Sequence, residues 1–553
     1  MDWLEFSSKR IGASLAIFAI AFSLIILTLT PNYGYFEEFL KSKVINGKDH
    51  NVTTKDIAPE EITQKVNDKA KEDKNFTGSN EGSKTNASER FDGLIVLSRF
   101  DEGSCLSRFK SYLYHRASPH KPSPYLISKL RNYEDLHQSC GPNTAPYNRT
   151  MTMLQKHRTN ATYECNYVVW TTSDGLGNRI VSMVSAFLYA ILTDRVLLVE
   201  FKDDMVGLFC EPFPNSSWIL PKDFPFRKNK GHVRTYDSIL KKHKENNSKE
   251  ILPSVLNLML RHTPEDHERF LRCDDSQHLL QEVPFLFLCS NQYFVPSLFM
   301  VPSFSQELSK MFPKKDTVFH HLGRYLFHPS NEAWGPISRF YEAYLAKADE
   351  RIGIQIRVFN PHESPYQTVM NQVLNCTLKN NILPNISTED SKHFAVKNRT
   401  LKSVLVASLY PMYGENLRTT YLTRPTVSGD VVSVHQPSHE GHQKFNDKKH
   451  NLKAWSEMYL LSLCDVLVTS SASTFGYVAQ SLRGLKPWVL HNLQNQKIQN
   501  PQCVRDFSME PCYHFPPKLD CMGKPIDDIG KAFPYIRRCQ DYEIGVKLVN
   551  DYE

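Results

Sequence analysis

Apolar positions along this chain gather into a few dense runs separated by polar ground. The first run, Ile11 to Thr30, is twenty residues without a charge, enough for a helix to cross a bilayer. From Pro31 to about Arg90 the chain is dominated by Lys, Asp, Glu, Asn, Ser and Thr. Such a stretch cannot bury enough surface to offset its ordering entropy, and it reads as a flexible stem. The densest pattern is Tyr167 to Phe201, YVVWTTSDGLGNRIVSMVSAFLYAILTDRVLLVEF. Its β-branched and aromatic opening, Tyr167 to Thr172, predicts a buried strand. A turn holding Gly175 and Gly177 leads into Ile180 to Leu192, an apolar run free of Gly and Pro and long enough for a helix. Arg195 to Phe201 predicts a second strand. Strand, glycine turn, helix and strand make a βαβ unit of a doubly wound sheet.

The same reading organises the rest of the head, which opens near Phe91. Helix is predicted over Ser123 to Asn132, strands over Glu250 to Leu258 and Phe285 to Leu288, and helical segments between Gln306 and Leu326. A turn at Asn331 to Gly335 and a helix from Pro336 to Ala348 close a first domain, residues 91–348. A second α/β domain, 349–500, begins with Arg351 to Phe359, whose alternating Ile residues mark a strand. Further strands are predicted at Val404 to Leu409, which ends before a turn SLYPMYGEN, at Val431 to His435 and at Asp465 to Thr469. Helices are predicted over Ala454 to Leu463 and Tyr477 to Leu482. Residues 501–553 carry Cys503, Cys512, Cys521 and Cys539 and read as an extension cross-linked onto the head. The fold class expected is α/β.

Charge and cysteine usage set the compartment. The formal net charge is +7, and 66 Lys and Arg are interspersed with 59 Asp and Glu. Without a basic block this argues against a nucleic-acid partner. Lys9 and Arg10 border the apolar run, so residues 1–10 are expected in the cytosol, 11–30 as a signal anchor and the head in a lumen. All twelve cysteines follow the apolar run, as do ten N-x-S/T sequons at Asn51, Asn75, Asn86, Asn148, Asn160, Asn215, Asn246, Asn375, Asn385 and Asn398. In an oxidising lumen the cysteines read as disulfides, whose pairing the sequence does not reveal. No CxxC occurs, which argues against a zinc site, and homodimerisation is left open.

Two places carry candidate chemistry. Arg357 sits at the carboxyl end of the predicted Ile-rich strand, where open α/β sheets bind ligands. The turn Ser470-Ser-Ala-Ser-Thr474-Phe-Gly476 opens a helix and offers hydroxyls and backbone N–H groups to a diphosphate. Its competing reading is a capped helix whose hydroxyls satisfy their own backbone. The GxG turn at Gly175 and Gly177 likewise reads either as an anion cradle or as tight packing of a helix on its sheet.

Six blocks in order then resemble plant cell-wall fucosyltransferases, the xyloglucan group of glycosyltransferase family thirty-seven. They are VWTTSDGLGNRIVSMVSAFLYAILTDRVLLVEF, CEPFPNSSWILP, QYFVPSLF, IGIQIRVF, QPSHEGHQ and TSSASTFGYVAQSLRGLKPWVL. The resemblance implies a GT-B-like head of two Rossmann-type domains, preceded by the anchor and stem usual in the Golgi membrane. It implies GDP-fucose as donor, inversion at fucose, a plant cell-wall glycan as acceptor and no divalent metal or cofactor. No D-x-D triplet occurs in the chain, so charge on departing GDP falls to Arg and to hydroxyl or backbone donors. By match to the family, Arg357 is the pyrophosphate ligand. Ser471, Ser473, Thr474, Phe475, His439 and Glu440 are donor-site candidates, and Asn178, Arg179, Asn291 and Tyr293 face the acceptor cleft. The resemblance also implies an Asp base just before YFVPSLF, where this chain has Asn291, and an amide cannot take a proton at neutral pH. Either the base lies elsewhere, with Glu440, Asp174 and His439 as candidates, or the reaction is dissociative and the departing phosphate or water takes the proton late. A catalytically impaired member acting as a Golgi scaffold or glycan-binding subunit is the alternative that Asn291 suggests.

Overall fold

The computed structural model describes residues 91–155, 163–171, 173–225, 253–261, 265–387, 399–526 and 528–550. The expected cytosolic tail, anchor and stem lie outside the described residues, as do the sequons at Asn51, Asn75, Asn86, Asn160, Asn246 and Asn398. Among the described residues no helix is long and apolar enough to cross a membrane. Asn148, Asn215, Asn375 and Asn385 are all exposed.

The βαβ unit forms as its pattern predicts and is the centre of a parallel sheet. β1 (Tyr167–Thr171) pairs in parallel with β2 (Val196–Glu200) on one side and β4 (Phe285–Ser290) on the other; β3 (Val255–Leu260) extends the sheet beyond β4. Every residue of β1 is buried, which is why its sequence is a continuous apolar run rather than an alternation. The second sheet is built from β5 (Glu350–Ile356), β6 (Leu401–Ser408), β7 (Val431–His435), β8 (Val466–Ser470), β9 (Trp488–Leu490) and β10 (Cys503–Arg505), in the order β10-β9-β8-β5-β6-β7. All its pairings are parallel except β9 with β10. This is the two-sheet α/β architecture expected of the chain.

The helix Leu176–Leu192 is apolar all round because it is buried all round. One side packs on β1 and β2; the other meets the helices Val318–Leu326 and Thr474–Arg483. A single core therefore joins both halves, containing Val184 and Phe187 of the first and Trp455, Leu461 and Val478 of the second. The outer face of the second sheet has its own core, where Ile352, Ile354 and Ile356 pack with Val404, Val406 and Val373.

Several predicted elements shift. The expected turn at 331–335 is the start of the helix Asn331–Phe340, because Ser330 caps it by accepting from the Ala333 N–H at 3.3 Å. SLYPMYGEN is not a turn throughout; the helix Met412–Thr423 begins inside it. Gly414 is there for close approach, since a Cβ would lie 2.4 Å from the Gln436 Oε1. Strand β10 and the helix Tyr366–Lys379 carry patterns too short or too mixed to announce themselves.

Disulfides claim ten of the twelve cysteines. The bonds are Cys105–Cys210, Cys140–Cys165, Cys273–Cys521, Cys376–Cys503 and Cys512–Cys539. The expectation that all twelve pair is corrected at Cys289 and Cys464, which remain thiols. Cys464 is sealed in the core, where burial pushes its thiol up to about 12, so it is inert. The C-terminal extension straddles both halves: Cys503 bonds to the Tyr366–Lys379 helix, while Cys521 bonds to Cys273 beside the first sheet.

The halves meet most closely where two helices begin. A Cβ on Gly177 would lie 2.6 Å from Thr474 Oγ1 and 3.0 Å from the Thr474 carbonyl carbon, and Thr474 Oγ1 donates to Asn178 Oδ1 at 2.7 Å. The neighbour is backbone, which cannot swing aside. Gly177→Ala is therefore expected to cost about 1–3 kcal/mol of stability by overpacking, read as a lower denaturant midpoint. An unchanged midpoint would show that the two helix starts separate without cost.

Candidate active site

A cavity of about 360 Å³ opens at the carboxyl ends of the parallel strands, where α/β sheets bind ligands. β1 delivers Asp174 to Asn178, β5 delivers Gln355 to Arg357, β6 delivers Ala407 to Leu409, and β8 delivers Ala472 to Phe475. The loop Ser438 to Phe445 and the helix Lys448–Leu461 complete the wall. The loop is held against the first half: Gln443 Nε2 would lie 2.9 Å from a Cβ on Gly175.

Arg357 is the charge that stands out. Its N–H donates to Ser470 Oγ at 2.9 Å, its Nη2 donates to Gln443 Oε1 at 2.8 Å, and its guanidinium lies 5.0 Å from the Phe359 ring centre. No carboxylate of the described residues pairs with it; burial depresses its pKa and the one titratable neighbour that steadies the charge is Tyr410. A half-buried cation without a counter-ion is prepared for an anion from outside. Nearby, the helices Leu176–Leu192 and Thr474–Arg483 both start without a side-chain cap, so first-turn N–H groups remain for a ligand.

The acids of the second half are committed. Glu440 is bound by Lys453 and, at 3.1 Å, by Lys444, and these two amines hold its carboxyl down to about 2. Glu457 accepts from Ser438 Oγ, and burial raises its carboxyl to about 8. His450 also lines the cavity, its pKa lowered by burial.

The predicted site residues separate into two groups. Arg357, Glu440, Ser473, Thr474, Phe475 and Asn178 line the cavity together. Ser471 does not; its hydroxyl donates to Asn492 Oδ1 at 2.7 Å. His439 is likewise not among the lining residues. Arg179, expected to face the cleft, is buried and paired with Asp204 at 2.7 Å, while its Nε donates to the Asp174 carbonyl at 2.8 Å. Tyr293, also expected there, is 1% exposed and donates to Glu510. Its aromatic neighbours in YFVPSLF make that block core rather than cleft. Asn291 is buried behind the lining and donates to Asp174 Oδ2 at 2.8 Å. Gln443, Glu457 and His450 were missed. Only the Gln of QPSHEGHQ carried a signal, as part of a block already singled out. Among the described residues one cluster gathers three metal-ligating side chains, Cys512, Cys539 and Asp541, but its two sulfurs are bonded to each other.

Two largely parallel sheets thus share an anion-adapted cleft at their strand ends, and comparison with known proteins shows the class to be a glycosyltransferase. The family model of xyloglucan fucosyltransferases matches residues 61–522. A galactoside 2-alpha-L-fucosyltransferase of Pisum sativum is 50% identical over 464 residues, 83% of this chain and 82% of its own. One of the same name from Arabidopsis thaliana is 50% identical over 469 residues, 84% of this chain and 83% of its own. The solved structure of a mutant of Arabidopsis thaliana FUT1 in complex with GDP matches with a TM-score of 0.76 at 49% identity, over 83% of this chain and 99% of that one. The chain belongs to the xyloglucan fucosyltransferase family.

The raised Glu457 carboxyl makes stability depend on pH. An unfolded Glu titrates near ~4.3, so between that value and about 8 the native state keeps a proton that the unfolded chain has lost. Stability therefore falls as pH rises through this window. Glu457→Gln keeps an acceptor for Ser438 and removes the titration. Its melting temperature is expected to match the parent at pH 5 and to exceed it by about 2 °C at pH 8, measured by calorimetry.

Proposed function

We propose that the cavity takes GDP-fucose, with the diphosphate between Arg357 and the N-terminus of the Thr474–Arg483 helix. Fucose then passes, with inversion at its anomeric carbon, to the O2 of a galactosyl residue in a wall glycan. The names of the Pisum and Arabidopsis relatives support the galactoside acceptor and the 2-position, and the GDP-bound FUT1 structure supports the donor. The observation that carries the reading is Arg357, a cation at a strand end with an amide and an aromatic ring for neighbours and no carboxylate paired with it among the described residues. Such an arginine clamps two phosphate oxygens at once, which a lysine cannot reproduce. Phe359 and Phe445 line the same cavity with 64% and 65% of their surface exposed, a state suited to stacking on a base or a sugar face.

As GDP leaves, negative charge grows on the β-phosphate. Arg357 and the N–H groups of the uncapped helix meet that charge, so a divalent cation is not required. The apolar run at 11–30, the sequons and the five disulfides support a single-pass anchor in the Golgi membrane with the head in the lumen.

Arg357→Ala is expected to lower kcat/KM for GDP-fucose about 100-fold or more while secretion and melting temperature stay near the parent's. Retained turnover would remove the arginine from the donor site. Chelation with EDTA is expected to leave the rate of fucose transfer unchanged; a loss restored by adding Mn²⁺ or Mg²⁺ would overturn the metal-free reading.

A further inference from the structure

Asp174 is held in a way that ordinary turn residues are not. Its φ is +60°, in the left-handed region that Asp and Asn adopt more readily than other side chains. Arg179 supplies part of that hold, its Nε donating to the Asp174 carbonyl at 2.8 Å while its Nη1 is anchored on Asp204. The carboxylate is pinned by one oxygen only. Oδ2 accepts from Ser173 Oγ at 2.6 Å and from Asn291 Nδ2 at 2.8 Å, and faces the Arg261 guanidinium at 3.6 Å. No donor among the described residues reaches Oδ1, and the side chain is 39% exposed on the cavity wall.

Asn291 has a defined part in this. Its Oδ1 accepts from Gln292 Nε2 at 2.8 Å, which turns its amide N–H₂ toward Asp174. Residue 291 thus serves as a donor here, and the carboxylate beside it belongs to the glycine turn.

The location follows the chemistry of displacement. In an inverting transfer the acceptor hydroxyl attacks fucose from the face opposite the departing diphosphate, so the group that takes its proton is distinct from the phosphate ligands and reaches the cavity beside them. Arg357, Ser473 and Thr474 come from the second sheet, as do the titratable lining residues Glu440, His450 and Glu457, while His514 comes from the C-terminal extension. Asp174 follows β1 of the first sheet. Glu440 is neutralised by two lysines and Glu457 keeps its proton near neutral pH, so neither is suited to take another.

Resting on the GDP-fucose reading above, we infer that Asp174 is the catalytic base, with Oδ1 receiving the proton of the acceptor hydroxyl and Asn291, Ser173 and Arg261 holding Oδ2. The acceptor O–H bond breaks as its oxygen bonds to the fucose anomeric carbon. The bond from that carbon to the β-phosphate oxygen breaks with its electron pair left on GDP. The proton on Asp174 then passes to solvent, restoring the carboxylate. Asn291 is a positioning residue in this scheme, acting through Asp174.

The test compares the full secreted chain with Asp174→Asn, and with Asp174→Asn combined with Asn291→Asp, using GDP-fucose and a galactose-terminated xyloglucan oligosaccharide. Asp174→Asn is expected to lower kcat about 10²–10⁴-fold, to bind GDP within twofold of the parent by calorimetry, and to lack the fall in kcat/KM on acidification expected of the parent. The double variant returns a carboxylate to the same hydrogen bond from its other side and is expected to recover at least tenfold of the lost kcat, with the acid fall restored. Turnover by Asp174→Asn within threefold of the parent, or lost GDP affinity in that variant, overturns the base assignment alone. Failure of the parent itself to transfer fucose or bind GDP overturns the donor and acceptor reading and this inference with it.

Discussion

Where the Leu176–Leu192 helix begins, Gly177 lies against the backbone of Thr474 and Phe475 at the start of a second helix, and Thr474 is hydrogen-bonded to Asn178. Only a residue without a Cβ permits this approach. Each helix follows a strand of a different sheet, so this contact, within the core that joins the halves, brings the two strand ends together at the cavity. Both helices also lack side-chain caps at this end, so the contact that joins the halves also keeps unpaired N–H groups at the cavity. Packing and ligand chemistry thus depend on the same few atoms.

The charged groups behind the cavity serve that arrangement. Arg179, Asp204 and Asn451 form a buried chain, Arg179 to Asp204 at 2.7 Å and Asn451 to Asp204 at 3.0 Å, which links the turn after β1 to the Lys448–Leu461 helix. Breaking one member of such a network leaves an uncompensated buried charge, which is why these groups act as struts rather than ligands. The extension adds a second tie. Glu510 accepts from Tyr293 and from the Phe319 N–H at 2.9 Å, and Lys547 pairs with Asp506 in full burial. Residues beyond the second sheet thereby brace the core of the first.

Some of this could be read directly from residues. YVVWT and FLFLCS are continuous apolar runs because their strands are covered on both faces, and IGIQI alternates because its two faces meet different layers. Arg357 was legible for the same reason: a cation at the end of an apolar strand has few structural explanations. Arg179 was misread because a cation beside a glycine turn gives no sign that Asp204, 25 residues on and just past the second strand, lies buried against it. Tyr293 was misread because its block is apolar enough to be core, and the partner that satisfies its hydroxyl, Glu510, is supplied from the extension. Glu457 was missed because a Glu within a helical pattern looks solvated until the loop from Ser438 covers it.

By itself the sequence determined the α/β class, the division into an apolar run, polar segment and disulfide-bearing head, and the family, since each rests on local pattern or on motifs in order. It also determined Arg357 at a strand end, because strand period alone puts it there. Tertiary structure decided which charges remain available. Arg179 is spent on Asp204, Glu440 on two lysines, and Asn291 on Asp174, while Arg357 keeps no carboxylate. It also decided that ten cysteines pair and that Cys289 and Cys464 do not. The physical reason is common to all of these: neutralisation and pairing need atoms within a few ångströms, and folding brings those atoms together from residues between 4 and 248 positions apart.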